Sequence, residues 1–85
     1  MYKVEWTKTA LKSLVKIDQV KAKKIKREVE TVLVKNPHKE GKPLKGNLKG
    51  LWRFRFSEYR VIYWIFQSEL VIEVVEAGHR SDVYN

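Results

Sequence analysis

The chain predicts an α+β domain of order β-α-α-β-β-β, with two N-terminal helices packed on one face of an antiparallel sheet. Three observations carry this: an opening segment with period-two alternation, two runs of apolar residues at helical spacing, and three β-rich segments joined by two- and three-residue connections. Eighty-five residues suffice for one domain, 1–85, with a compact core.

Residues 2–6, Tyr-Lys-Val-Glu-Trp, alternate apolar and charged, so a half-buried strand turns Tyr2, Val4 and Trp6 to the core. Thr7 or Thr9 offers an N-cap. Over about 8–17, Ala10, Leu11, Leu14, Val15 and Ile17 gather on one arc beside a row of Lys8, Lys12 and Lys16, which predicts a short amphipathic helix. Asp18-Gln19 breaks it. A second helix over about 20–35 follows from Ala22, Ile25, Val29, Val32 and Leu33, and Asn36-Pro37 ends it because the residue before proline is pushed out of the helical region. Lys21, Lys23, Lys24, Lys26 and Arg27 lie off its apolar arc and read as a solvated face. Residues 36–50 have the composition of a loop, with Leu44 and Leu48 as anchors, and deliver Lys42, Lys45 and Lys49, candidate RNA contacts, into the strand that follows. Strands at about 51–56, 59–66 and 70–77 complete a meander through Ser57-Glu58 and Gln67-Ser68-Glu69.

The chain contains no cysteine, which removes disulfides and thiolate sites. His38 and His79 stand far apart with no paired acidic cluster, so no metal site is expected. No stretch approaches the roughly 20 apolar residues of a membrane helix. Residues 1–8 carry charge where a secretory leader is apolar, so the expected location is the cytoplasm. Eighteen Lys and Arg against ten Asp and Glu leave a net charge of +8. Such an excess on a small domain favours a polyanionic partner, nucleic acid first, through counterion release and steering.

More than half of that excess lies in residues 42–60, which hold six bases and one acid. Alternation puts Trp52, Phe54 and Phe56 on one face of their strand, under the helices, and Arg53 and Arg55 on the other, about 7 Å apart. Arg60 joins them if its side of the next strand begins on their face. Guanidinium forks on a rigid sheet match phosphate oxygens and stack on bases. The competing structural reading pairs them across strands with Glu73 and Glu76. The C-terminal stretch adds His79, a side chain able to transfer protons near neutrality, Arg80, able to stabilise phosphorane charge, and Tyr84, able to stack on a base or orient a 2′-hydroxyl.

The ordered blocks "PLKG", "LWRFR", "YRVIY" and "GHRSDVY" together resemble the RelE/ParE toxin superfamily of toxin–antitoxin modules, most closely its RelE branch, over nearly the whole chain. The resemblance implies a β-α-α-β-β-β toxin that enters the ribosomal A site, beside 16S rRNA, and cuts the mRNA there without a cofactor. It implies attack of a 2′-hydroxyl on the adjacent phosphate, and neutralisation by a cognate antitoxin protein. The family's catalytic positions fall on Arg53, Arg55, Arg60, Arg80 and Tyr84, with Lys45 at a supporting phosphate contact. Two sheet positions that are lysines in the best-known RelE toxin are Arg53 and Arg55 here. Arginine stays protonated, so Arg53 is expected to clamp charge, and the base is His79, Glu58, or a solvent or ribosomal group. The alternatives are a ParE-like inhibitor of DNA gyrase and a non-catalytic RNA- or ribosome-binding module.

Overall fold

The computed structural model describes residues 1–79, in the order β1 (Lys3–Trp6), α1 (Lys8–Val15), α2 (Gln19–Thr31), α3 (Pro37–Glu40), β2 (Lys42–Pro43), β3 (Trp52–Phe56), β4 (Tyr59–Phe66) and β5 (Val71–His79). Each helix begins on a side-chain oxygen that accepts from a first-turn backbone N–H. Thr7 accepts from Ala10 N at 3.0 Å, Asp18 from Lys21 N at 3.3 Å and Asn36 from Lys39 N at 3.2 Å. Asn36-Pro37 therefore does two jobs. It closes the α2 region, whose apolar arc runs on through a 3-10 turn at Leu33–Lys35, and it starts α3 with proline in the first turn. The stretch predicted as a loop thus contains a one-turn helix and the short β2, neither long enough to show periodicity.

The sheet has five strands in the order β1-β5-β4-β3-β2. The predicted β3-β4-β5 meander is antiparallel, and β2 adds to β3 in the same sense. The N-terminal strand joins, as predicted, but lies parallel to β5, from Lys3 opposite Val71 to Trp6 opposite Val74. A parallel neighbour needs a long crossover, and here the helices and the rest of the sheet intervene. A register shift in the β4–β5 pairing puts Ile62 opposite Glu76 but Tyr63 opposite Val74, leaving Val75 as the extra residue.

Ala10, Leu14, Ile25, Val29, Leu33 and Val34 from the helical side pack on Phe54, Val61, Tyr63, Ile72, Val74 and Ala77. Trp52, Phe56 and Tyr59 pack against this core, so the aromatic side of β3 lies under the helices. Tyr63 is fully buried and its hydroxyl donates to the Pro37 carbonyl at 2.8 Å, pinning α3 to the central strand. Burial, helped by the charge of Glu40, pushes its ionisation well above the usual tyrosine range. A Cβ at Gly41 would fall on that hydroxyl. Among the described residues, no helix is long and apolar enough to cross a membrane.

Candidate nucleic-acid interface

Strand register decides which cations meet. Arg55 lies directly opposite Arg60, and Lys42 directly opposite Arg53, whose partner on its other side is Ile62. Directly opposed residues share a face, so Lys42, Arg53, Arg55 and Arg60 all stand on the side away from Phe54, Val61 and the helices. Cα atoms of such pairs are only about 5 Å apart, and like charges so placed destabilise a sheet. Among the described residues, no carboxylate pairs with the side chains of Arg53 or Arg55. Glu73 and Glu76 do stand on this face, because the extra residue brings both to one side. Their direct partners are Trp64 and Ile62, however, and the residue across from Arg60 on β5 is Gly78. The cross-strand neutralisation that sequence reading weighed is therefore absent from the direct pairs.

Lys45 and Lys49 are the exposed ends of the 3-10 turn Gly46–Leu48, on the connection from β2 to β3. The Leu44 N–H donates to the Leu51 carbonyl at 2.9 Å, and half-buried Leu44 and Leu48 hold the segment down. Ile62 is fully buried yet stands outside the main core cluster, on the arginine side. Its neighbours on that face are Arg53, Arg60, Trp64 and Glu76, all with long side chains.

His79 does not join the arginines. Its register partner is Tyr59, which belongs to the helix-covered face; the rings meet edge-on at 6.0 Å, and Nε2 lies 3.4 Å from Glu58 Oε2. Glu58 Oε1 in turn lies 3.6 Å from Lys21 Nζ. His79 is separated from Arg53, Arg55 and Arg60 because alternation sends it to the opposite side of the sheet. Arg80 and Tyr84 lie outside the described residues. A cleft of about 330 Å³ beside His79, with Ser13, Lys16 and Asp18 in its walls, also opens away from the arginines. Their own surface is a sheet face, a shape suited to a polymer. Among the described residues no group of three His, Asp or Glu could hold a metal ion.

One feature of the face escaped sequence reading. Trp64 is 37% exposed two positions beyond Ile62, on the arginine side, with its ring seated over Gly50. Its alternation with Arg60 along β4 was the available signal.

The model of the ParE toxin of the type II toxin–antitoxin system parDE matches residues 4–84. The chain belongs to the RelE/ParE toxin superfamily. It is 35% identical to the toxin RelE of Mycobacterium tuberculosis over 83 residues, covering 98% of this chain and 86% of that protein. It is 36% identical over 92 residues to a putative RelE-like toxin protein of Escherichia coli, covering 99% and 90% of the two chains. The crystal structure of the M. tuberculosis toxin–antitoxin complex RelBE2 contains a chain that superposes with a TM-score of 0.89 at 28% identity, covering 93% of this chain and 98% of that one. The intact E. coli RelBE complex shares the fold at a TM-score of 0.75 and 20% identity, over 93% and 96% of the chains. This chain is thus a RelE-family toxin of a toxin–antitoxin module, with the helix-on-sheet architecture of its relatives.

Proposed function

We propose that this toxin is a ribosome-dependent endoribonuclease that cleaves mRNA in the A site and is held inactive by a cognate antitoxin. The observation that carries the reading is the strand register that sets Lys42 opposite Arg53 and Arg55 opposite Arg60, like charges side by side on one face that repel one another. A polyanion laid across them relieves that repulsion.

The chemistry asks the protein mainly for charge stabilisation, since the nucleophile is the substrate's own 2′-hydroxyl. Its oxygen forms a bond to phosphorus, the bond from phosphorus to the 5′-oxygen breaks, and the products are a 2′,3′-cyclic phosphate and a 5′-hydroxyl. Arg53, Arg55 and Arg60 donate to the non-bridging oxygens as negative charge accumulates, with Lys42, Lys45 and Lys49 gripping flanking phosphates. Arg80 and Tyr84 are assigned to the same phosphate and to an adjacent base by the family pattern. None of the arginines can take the 2′-hydroxyl proton. We assign that role to solvent or a ribosomal group and not to His79, which faces the helices. His79→Gln is therefore expected to slow cleavage by less than about tenfold, whereas loss of a general base costs about 10² to 10⁴. A loss in the latter range, measured on programmed ribosomes, would return His79 to the site.

The test is inducible expression with mapping of mRNA ends on translating ribosomes, wild type against Arg80→Ala. New 5′-hydroxyl ends inside reading frames, absent from the variant, are expected. The ParE family model favours a second reading, a toxin aimed at DNA gyrase. Replication arrest with intact mRNA would establish that one, and ribosome binding without new ends would point to a non-catalytic module.

A further inference from the structure

On top of the ribonuclease reading, we infer that Trp64 is a fixed stacking platform for one unpaired base of the bound RNA, next to the phosphate-gripping arginines. Trp64 follows Arg60 and Ile62 on the same side of β4, which places it about 13 Å from Arg60 along the strand. The ring lies outside the helix-covered core, because the helices pack on the other face and Trp64 stands apart from the core cluster. Its environment is nevertheless built. Gly50 has a φ of +101°, and a Cβ at that position would lie 2.6 Å from the indole Cζ3, so the ring rests against bare backbone. Ile62, fully buried beside it, makes a firm floor. An indole held in this way presents a surface without the conformational entropy loss of ordering a loose side chain.

The occupant follows from the charges around the ring. Lys42, Arg53, Arg55 and Arg60 occupy the β2–β3–β4 side of the same face, while Glu73 stands directly across from Trp64 on β5 and Glu76 across from Ile62. A chain of phosphates is attracted to the first side and repelled from the second, which leaves its bases over the strip where Trp64 lies. Single-stranded nucleic acid is bound elsewhere by this combination of a basic track and aromatic faces. A phosphate alone would use the arginines and ignore the indole.

On programmed ribosomes, Trp64→Ala is expected to raise KM for mRNA cleavage on the order of tenfold, the effect of losing one stacked base, with a much smaller change in kcat. Trp64→Phe should recover most of the loss, and Leu70→Ala, an exposed apolar residue in the β4–β5 turn, should leave KM alone. In the isolated toxin, a short single-stranded RNA blocked by 2′-O-methylation should quench tryptophan fluorescence in the wild type and not in Trp64→Phe. An unchanged KM in Trp64→Ala overturns the inference, as does a Trp64→Ala variant that cuts normally but binds its antitoxin less tightly. If Arg60→Ala abolishes cutting while Trp64→Ala does nothing, the platform is wrong and the ribonuclease reading stands. If neither matters, the ribonuclease reading falls with it.

Discussion

Arg60→Ala is expected to reduce A-site mRNA cleavage by about 10² to 10³-fold, the usual loss when one preorganised donor to a developing oxyanion is removed. The fold should survive, because Arg60 faces away from the helical core and stands directly opposite another arginine. It stands two residues from the buried Ile62 on the same side of β4, so a companion variant separates charge from packing. Arg60→Met keeps a long apolar stem without the guanidinium fork, and should match Arg60→Ala in activity while being at least as thermally stable as the wild type. Arg55→Ala makes the sharper contrast. Arg55 is exposed, so its removal should weaken cleavage strongly while raising stability by a few tenths of a kcal/mol, since a like-charged pair disappears. Activity and stability moving in opposite directions is the signature of a residue retained for its ligand. If Arg55→Ala and Arg60→Ala both retain full cleavage and toxicity, the arginine face is not the site.

Gly41→Ala should have the largest effect on stability. The backbone there is extended, at φ −107° and ψ −179°, a conformation any residue adopts, so the obstacle is space rather than strain. The new methyl would collide with the Tyr63 hydroxyl and approach the Arg53 carbonyl to 2.9 Å. Overpacking of this kind costs about 1 to 3 kcal/mol, and displacing the hydroxyl also removes its bond to Pro37. For a domain of this size the melting temperature should fall on the order of 10 °C. Tyr63→Phe is the control: it loses one hydrogen bond, about 1 kcal/mol, and vacates the space that the new methyl would occupy. In a double-mutant cycle the Gly41→Ala penalty should shrink by more than about 0.5 kcal/mol in the Tyr63→Phe background. An equal penalty in both backgrounds would show that the contact is not the cause. The same pair has a pH signature. Tyr63 ionises with more difficulty folded than unfolded, so its contribution is complete below about pH 10 and is lost as the pH rises further. Tyr63→Phe should remove that part of the alkaline destabilisation.

Much of the scaffold could be read before any coordinates because its causes are local. Thr7 sits where a short oxygen-bearing side chain reaches an N–H three residues on, Asp18 and Asn36 mark the helix breaks, and the arcs of Leu14, Ile25 and Val29 follow from helical geometry alone. The reading fell short between residues 36 and 50, where elements of two to four residues leave no pattern, and at β1, whose parallel pairing with β5 depends on residues some seventy positions away. Within the site, Arg53 and Arg55 were evident from alternation against Trp52, Phe54 and Phe56. His79 was read as part of a C-terminal tail beyond a strand ending near residue 77, whereas β5 runs on to His79 and sets it opposite Tyr59.

By itself, then, the sequence determined that β3 carries arginines on one side and aromatics on the other, since successive side chains of an extended chain must point in opposite directions. Whether Arg60 met Arg55, whether Glu73 and Glu76 shared a face, and which side His79 took were settled only in the folded sheet. Those outcomes turn on register, and register is chosen by the two-residue turn at Ser57-Glu58, the irregularity opposite Ile62 and the burial of Val61, Tyr63 and Val74 against the helices. That selection is a property of several strands and a core at once, and no single segment contains it.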